Sequence, residues 1–475
     1  MSKDKSNSKV WALWAGPLAA AAVWFLMSVK GGVKPEACWA AAVMIWCMTW
    51  WIFEPLPVEA TSILPFVIFP LTGVLDAKKA ASGYGHEMVL LFIGGFMVSQ
   101  GLGKSGAHKR LAIGMVRLVG GVGGRRLVLG FMLAAVLLSM WVSTTATTLM
   151  FLPMMLAVLE HLDEKEKKII AVPLLLSLVL GVNIGAMGTC VSTPPNILCA
   201  GMYRDLTTKT ISLLQWMKVA VPIVLILVPF TWLWLTRKMG PSKPIQLPDL
   251  GKWRTEEKRI VIVFLVTIMG WIFLEGPYGG WQRLLGVKGV GNSTVALLSV
   301  MVMFLCPNGH GGRLLDWKTA SAIPWGLLLM VGGSMTIGIA FASSGLSDII
   351  GGKLADIIGS KPDGSSGMSL FAMVAIVSAG AGVMTNMMNH TAMAALLLPL
   401  LAAAAKSVNV DPIFFMMPAA IGIDTAFTTP ISTMSNLMIY GTGYVPVRTM
   451  MREGWVPNLA GIILVAVMCY LLLPK

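Results

Sequence analysis

The residues able to do chemistry come in two matched sets. Ser143-Thr144-Thr145-Ala146 leads to Leu152-Pro153, and Asn389-His390-Thr391-Ala392 leads to Leu398-Pro399, 246 residues later at every position. A second polar element follows each cassette: Ser192-Thr193-Pro194-Pro195-Asn196 in the first half, and Thr428-Thr429-Pro430 with Asn436 in the second. A glycine pair in an apolar run precedes each, Gly94-Gly95 and Gly332-Gly333. Hydroxyls, amides and one imidazole in apolar sequence suit the binding of small ions. A helix tip or break frees backbone groups that are costly to leave unpaired in hydrocarbon. A cation satisfies carbonyls and hydroxyls; an anion satisfies the amides of a helix N-terminus, helped by the helix dipole. Ser143, Thr144, Thr145, Thr193, Asn389, Thr391, Thr428 and Thr429 are suitable neutral ligands. Taken singly, such Ser and Thr residues also bond back to helix carbonyls or join helices. Their paired occurrence beside Pro breaks favours a site, because duplicated, interrupted elements in membrane-spanning sequence point to a transporter's binding centre.

The elements that must position these groups are membrane helices. The chain is 56% hydrophobic and 12% charged, with a mean hydropathy of +0.77, more apolar surface than a water-soluble fold could bury. Runs at 10–29, 169–180, 223–235 and 459–473 suit spans of about 20 apolar residues. The first run follows a charged start without a small-residue cleavage site, so it reads as a retained helix. The net charge of +14 could suggest nucleic acid, but most of the 36 Lys and Arg cluster in short loops that share one side of the bilayer. That bias places the N-terminus in the cytoplasm and the chain in the inner membrane. The six cysteines are scattered through apolar segments without metal-ligand spacing and read as small hydrophobes. No phosphate-binding loop is present, which argues against ATP hydrolysis by this chain.

The expected fold is all-α and integral to the membrane, with about eleven spans plus two re-entrant hairpins. Residues 1–53 form N-terminal scaffold helices, and Glu54-Pro55-Leu56-Pro57 breaks the chain. Residues 54–236 form a first repeat, with the hairpin carrying cassette 143–145 and a broken helix at 192–196. The basic stretch from Lys104 to Arg126 lies along the cytoplasmic interface. A hairpin through 127–155 returns the chain to the cytoplasm and keeps Arg125-Arg126 and the Lys165–Lys168 cluster on one side. Residues 237–258 form a cytoplasmic linker. Residues 259–475 repeat the plan, with a Gly/Ser loop at 359–367, a hairpin carrying cassette 389–391 and a break at 428–430. An odd number of crossings between equivalent points gives the repeats opposite topology, so the hairpin tips meet near the midplane.

These residues resemble the divalent anion/sodium symporters, the family of dicarboxylate, citrate and sulfate carriers. The resemblance runs through Trp51-Ile-Phe-Glu-Pro-Leu-Pro-Val-Glu-Ala-Thr61, Leu91-Phe-Ile-Gly-Gly95, Lys104-Ser-Gly106, both cassettes and Thr193-Pro-Pro-Asn196, and covers nearly the whole chain. It implies a homodimer in which a scaffold domain dimerises and a transport domain moves as a body, in elevator fashion. It also implies a first cation site at Ser139, Ser143, Thr144 and Ser192, and a second at Thr385, Met388, His390 and Thr428. The anion would touch Thr144, Thr145, Thr193, His390, Thr391, Thr429 and Pro430. Sodium is the implied coupling ion, and no cofactor is implied.

The departures bear on coupling. The family cassette reads Ser-Asn-Thr twice; here the two Asn positions hold Thr144 and His390, and the second Ser is Asn389. A neutral imidazole can ligate a cation, whereas a charged one repels it and attracts the anion. Asp424 stands four residues before Thr428, and an intramembrane acid is a functional candidate whose partner should be named. His390 is that expected partner, as a proton-carrying or charge pair; an ordinary helix-locking pair explains the residues equally well. The function expected is secondary-active transport of a small di- or tricarboxylate. Sulfate or another oxyanion fits the same donors, and proton coupling or anion exchange fits the His390 and Asp424 substitutions. An intramembrane enzyme would need a nucleophile or metal that the sequence does not offer. A non-transporting sensor would bind without flux.

Overall fold

The computed structural model describes residues 4–29, 32–119, 123–207, 209–240, 250–274, 280–287, 289–349 and 368–474, with side chains from residue 11. No strand occurs among them; an isolated bridge joins Pro307 and Arg313. The first helices are α1 (Asp4–Val29), α2 (Pro35–Phe53), α3 (Val58–Thr61), α4 (Leu64–Leu71), α5 (Ala77–Tyr84) and α6 (Glu87–Ser105). Glu54 closes α2 at φ 47°, and the prolines behind it prevent the helix from continuing. Gly106, at φ 77°, turns α6 into α7 (Ala107–Leu118), the expected interfacial segment.

Then come α8 (Gly124–Ser139), α9 (Thr144–Glu160), α10 (Glu164–Met187), α11 (Pro194–Thr207) and α12 (Leu213–Thr236). The second half holds α13 (Thr255–Ile272), α14 (Gly280–Leu284), α15 (Asn292–Leu305), α16 (Trp317–Ala320) and α17 (Trp325–Ser344). It ends with α18 (Leu370–Met384), α19 (His390–Ser407), α20 (Ile413–Ile423), α21 (Met434–Gly441) and α22 (Val447–Leu472). The Gly/Ser loop 359–367 and residues 241–249 of the linker lie outside the described residues.

Eight helical segments among the described residues are long and apolar enough to cross a bilayer, α19 among them. Others are interrupted. Segments 58–71, 144–160, 292–305, 370–384 and 413–423 are apolar but 10–17 residues long, because Pro, Gly or polar breaks end them early.

Packing follows one scheme twice. Helices α8, α9 and α12 pack on α10; α18, α19 and α22 pack on α20. The sets also interlock: α9 and α10 touch α21, while α19 and α20 touch α11. Outside them, α6 packs on α13, α15 and α16, and α17 on α2, α3, α4 and α5. The glycine pairs explain these last contacts. A Cβ at Gly94 would lie 2.6 Å from Ala296 Cβ on α15, and one at Gly332 would lie 2.7 Å from the Tyr84 ring on α5. Both helices therefore approach as only glycine allows. On the face bearing the basic loops, Arg110 on α7 bonds Glu257 at 2.6 Å and the carbonyls of Leu250, Gly251 and Lys252.

Candidate functional site

Each cassette caps a helix. Ser143 is the N-cap of α9, its hydroxyl accepting from Ala146 N at 3.3 Å; Asn389 is the N-cap of α19, its side chain accepting from Thr391 N at 2.9 Å. Thr144-Thr145 and His390-Thr391 thereby stand in first turns whose amides have no intrahelical partner. Pro153 and Pro399 sit within the two helices. The hydroxyls of Thr144, Thr145 and Thr391 make no hydrogen bond among the described residues, and Thr144 and Thr391 are buried.

The preceding turns are tied to the broken helices in matching ways. Ser139 Oγ donates to the Val182 carbonyl at 2.6 Å, and Thr385 Oγ1 to the Ile423 carbonyl at 2.9 Å. Thr189 Oγ1 donates to the Met140 carbonyl at 2.5 Å, and Thr429 Oγ1 to the Asn386 carbonyl at 2.7 Å. Met388 lies half-buried in the second turn.

The two breaks share a register that differs from the one expected. Asn196 Nδ2 donates to the carbonyls of Ala186 and Thr189; Asn436 Nδ2 donates to those of Ala426 and Thr429. Ser192 Oγ donates to Ala186 O and lies 3.1 Å from Thr189 O, and Ser432 Oγ donates to Thr429 O at 2.7 Å. Ser192-Thr193-x-x-Asn196 is therefore equivalent to Ser432-Thr433-x-x-Asn436, and Thr428-Thr429-Pro430 corresponds to the stretch from Gly188. The Thr-Pro dipeptides, alike in the sequence, are not equivalent, because the amide that ties each loop to its helix end sets the register.

His390 and Asp424 do not form the expected pair. His390 turns both its backbone N–H (3.0 Å) and Nδ1 (3.2 Å) to the Ser432 carbonyl. A carbonyl only accepts, so Nδ1 carries the proton, and Nε2 has a lone pair while the ring is neutral. Asp424 accepts instead from Thr193 Oγ1 (3.1 Å) and Asn196 Nδ2 (3.0 Å). It is the C-cap of α20 rather than a residue one turn inside a longer helix, because α20 ends at Ile423. Its side chain reaches the first break.

Several residues of this centre escaped the sequence reading. Asn386 Oδ1 accepts from Thr428 N (3.1 Å) and Thr428 Oγ1 (2.7 Å), holding the second break. Asn183 reaches from α10 to Ala426 O and Asn436 Oδ1. Thr189, Ser432 and Thr433 complete the loops. A repeated Ser-Thr-x-x-Asn, 240 residues apart, was the signal available for the last two.

No cluster of three His, Cys, Asp or Glu able to hold a metal occurs among the described residues. The donors gathered here are hydroxyl, carbonyl and amide oxygens, the ligands of a hard cation. Two helix N-termini beside them can take an anion.

Comparison with known proteins adds the following. The model of the sodium:sulfate symporter transmembrane region matches residues 7–473. The sodium-dependent dicarboxylate transporter SdcS of Staphylococcus saprophyticus is 30% identical over 471 residues, spanning 94% of this chain and 88% of that protein. SdcS from a strain of Staphylococcus aureus is 30% identical over 498 residues, spanning 99% and 92%. Among solved structures, the YdaH transporter of Alcanivorax borkumensis has a TM-score of 0.59 at 12% identity, over 87% of this chain and 98% of that one. MtrF of Neisseria gonorrhoeae, described as illuminating a class of antimetabolite efflux pumps, has a TM-score of 0.54 at 14% identity, over 85% and 83%. At such identities these two share the fold alone.

Proposed function

The chain belongs to the sodium:sulfate symporter family, and from that premise we propose that it carries a small dicarboxylate, of the C4 or citrate class, across the inner membrane in company with sodium. The observation that carries this reading is the pair of capped N-termini at α9 and α19, with Thr144, Thr145 and Thr391 hydroxyls left without partners among the described residues. Two positive helix ends facing neutral donors suit an anion with a carboxylate at each end. Thr193, His390, Thr429 and Pro430 complete the anion's surroundings in this reading.

The cations would sit beside the same tips, one at Ser139, Ser143, Thr144 and Ser192, the other at Thr385, Met388, His390 and Thr428. The hydroxyls of Ser139, Thr385 and Ser192 already donate their protons to carbonyls. That orients their lone pairs away from those carbonyls, free to coordinate an ion. His390 Nε2 can serve in the same way while the ring is neutral.

In this reading α8–α9 and α18–α19 are re-entrant hairpins. At 15–17 residues, α8, α9 and α18 are shorter than the roughly 20 residues that a full crossing needs, while α19 has 18. The matched packing of α8–α12 and α18–α22 supports inverted repeats that move together as a transport body. The scaffold is α1–α6 with α13–α17, dimerising through part of its surface, with the N-terminus in the cytoplasm. The reading assigns the chain no catalytic step.

The test is uptake of labelled succinate into proteoliposomes under a sodium gradient, a proton gradient, or internal unlabelled succinate alone. Accumulation driven by sodium, and lost in Thr145→Ala and Thr391→Ala, is the expected outcome. Uptake with sulfate but not succinate would replace the substrate class. No uptake of either anion would refute the reading.

A further inference from the structure

Asn183 and Asp424 occupy equivalent positions. Each directly follows the residue whose carbonyl accepts from the hairpin hydroxyl, Val182 from Ser139 and Ile423 from Thr385. Each then crosses to the break of the other set. Asn183 Nδ2 donates to Asn436 Oδ1 at 3.3 Å, and Asp424 Oδ2 lies 3.0 Å from Asn196 Nδ2. The consequence differs at the far amide. Asn436 Oδ1 has two donors, Asn183 and Thr433. Asn196 Oδ1 is buried with none, because Thr193 Oγ1 donates to Asp424 instead. The Asn196 amide cannot turn over to escape, since Nδ2 is committed to the carbonyls of Ala186 and Thr189.

A carboxylate only accepts, so it cannot supply the missing donor. A carboxylic acid has the shape of an amide and one O–H to give. An unpaired charge in so dry a place would also be costly, and a buried acceptor without a donor adds to that cost.

We propose that Asp424 is a proton-binding site: a proton on its carboxyl, which packs against the Asn196 amide, would give Asn196 Oδ1 the donor it lacks, as Asn183 gives one to Asn436 Oδ1. Loss of that proton places a negative charge between the two breaks, beside the groups read above as the cation and anion sites. Proton occupancy is thereby linked to the charge of the cargo. The link to cargo rests on the transport reading; the protonation itself does not.

The other titratable groups on the elements packed against α20 are engaged elsewhere or lie at helix ends. Helix α18 has none. Helix α19 has His390, bonded to Ser432, and the exposed Lys406. On α11, Arg204 pairs with Glu87 and Asp205 with His86, Tyr203 donates to Asp411, and Cys199 is buried. On α22, Arg452 and Glu453 pair with each other and Glu453 with Arg237, while Arg448, Cys469 and Tyr470 complete the set. Asp411 precedes α20 and pairs with Lys209. The described contacts of Asp424 are with Thr193 and Asn196.

The test is infrared spectroscopy of the full-length protein in lipid, titrated across neutral pH. The expected result is a neutral-acid carbonyl band that shifts in heavy water, bleaches as pH rises, is absent from Asp424→Asn and is present in Asp424→Glu. A wild type without the band, or Asp424→Asn with it, overturns the proposal. Succinate uptake is measured over the same range. Its pH dependence should weaken in Asp424→Asn; an identical profile in wild type and Asp424→Asn also overturns it. The band is read whether or not the protein transports succinate, so failure of uptake refutes the transport reading alone.

Discussion

At Asn386 a side chain does in the second half what Met140, its counterpart in the first, has no polar atom to do. Both turns offer a main-chain carbonyl to a threonine of the break, Met140 to Thr189 and Asn386 to Thr429. Asn386 also accepts from Thr428 N and Oγ1. Asn386→Ala should strand the Thr428 amide at a cost of about 1–3 kcal/mol. Scanning fluorimetry should show a lower Tm, and uptake should fall with it; an unchanged Tm would mean that water replaces the side chain. Asp316, outside the membrane, gives a pH test. The Lys104 ammonium that bonds it, with Thr319 N, holds its carboxyl down at about 2. A depressed carboxyl contributes stability above its unfolded value, and that contribution is lost as pH falls through the folded one. The Tm difference between wild type and Asp316→Asn should thus be small, constant at neutral pH and vanish toward about pH 2. A difference that persisted in strong acid would show that the pair is not its source.

Among elements, the closest approach in the first set is α10 on α8. A Cβ at Gly185 would lie 2.3 Å from the Val136 carbonyl oxygen and 2.7 Å from its Cα, both backbone atoms that cannot step aside. Gly181, one turn earlier, would place its Cβ 3.1 Å from the Met132 carbonyl, so a small-residue stripe seats the helix. Gly185→Ala should destabilise the protein by about 1–3 kcal/mol through forced repacking, and by more than Gly114→Ala on α7, where a Cβ meets open space. Thermal unfolding of the two variants side by side would decide it. Equal melting points would mean that α8 and α10 slide without cost.

For the whole molecule, the reading of two bodies makes one region revealing. Glu87 at the start of α6 bonds Arg204 near the end of α11 and Ser293 on α15, while His86 bonds Asp205 at 3.2 Å. The Glu87–Arg204 and His86–Asp205 pairs join proposed scaffold to proposed transport body, so they must part if the bodies move, whereas Glu87–Ser293 lies within the scaffold. Half-exposed pairs of this kind are worth up to about 1 kcal/mol, or about fivefold in a population. Glu87→Gln should therefore change succinate counterflow severalfold while leaving Tm nearly unaltered. Counterflow identical to wild type would show that α6 and α11 travel together.

Composition and local pattern were enough to establish a membrane protein, the two polar cassettes, the breaks behind them and the glycine pairs, because apolar runs and Pro or Gly interruptions act within a few residues. Only the tertiary structure decided which polar groups meet. Asn183 with Asn436, Asp424 with Asn196 and His390 with Ser432 depend on helix phase, and one residue of slip turns a side chain by about 100°. That slip is present: Asn183 and Asp424 are 241 residues apart, Asn196 and Asn436 only 240. The cassettes stand at a third spacing, 246 residues. No single offset read along the chain could align the two halves, so the partner of Asp424 had to come from packing.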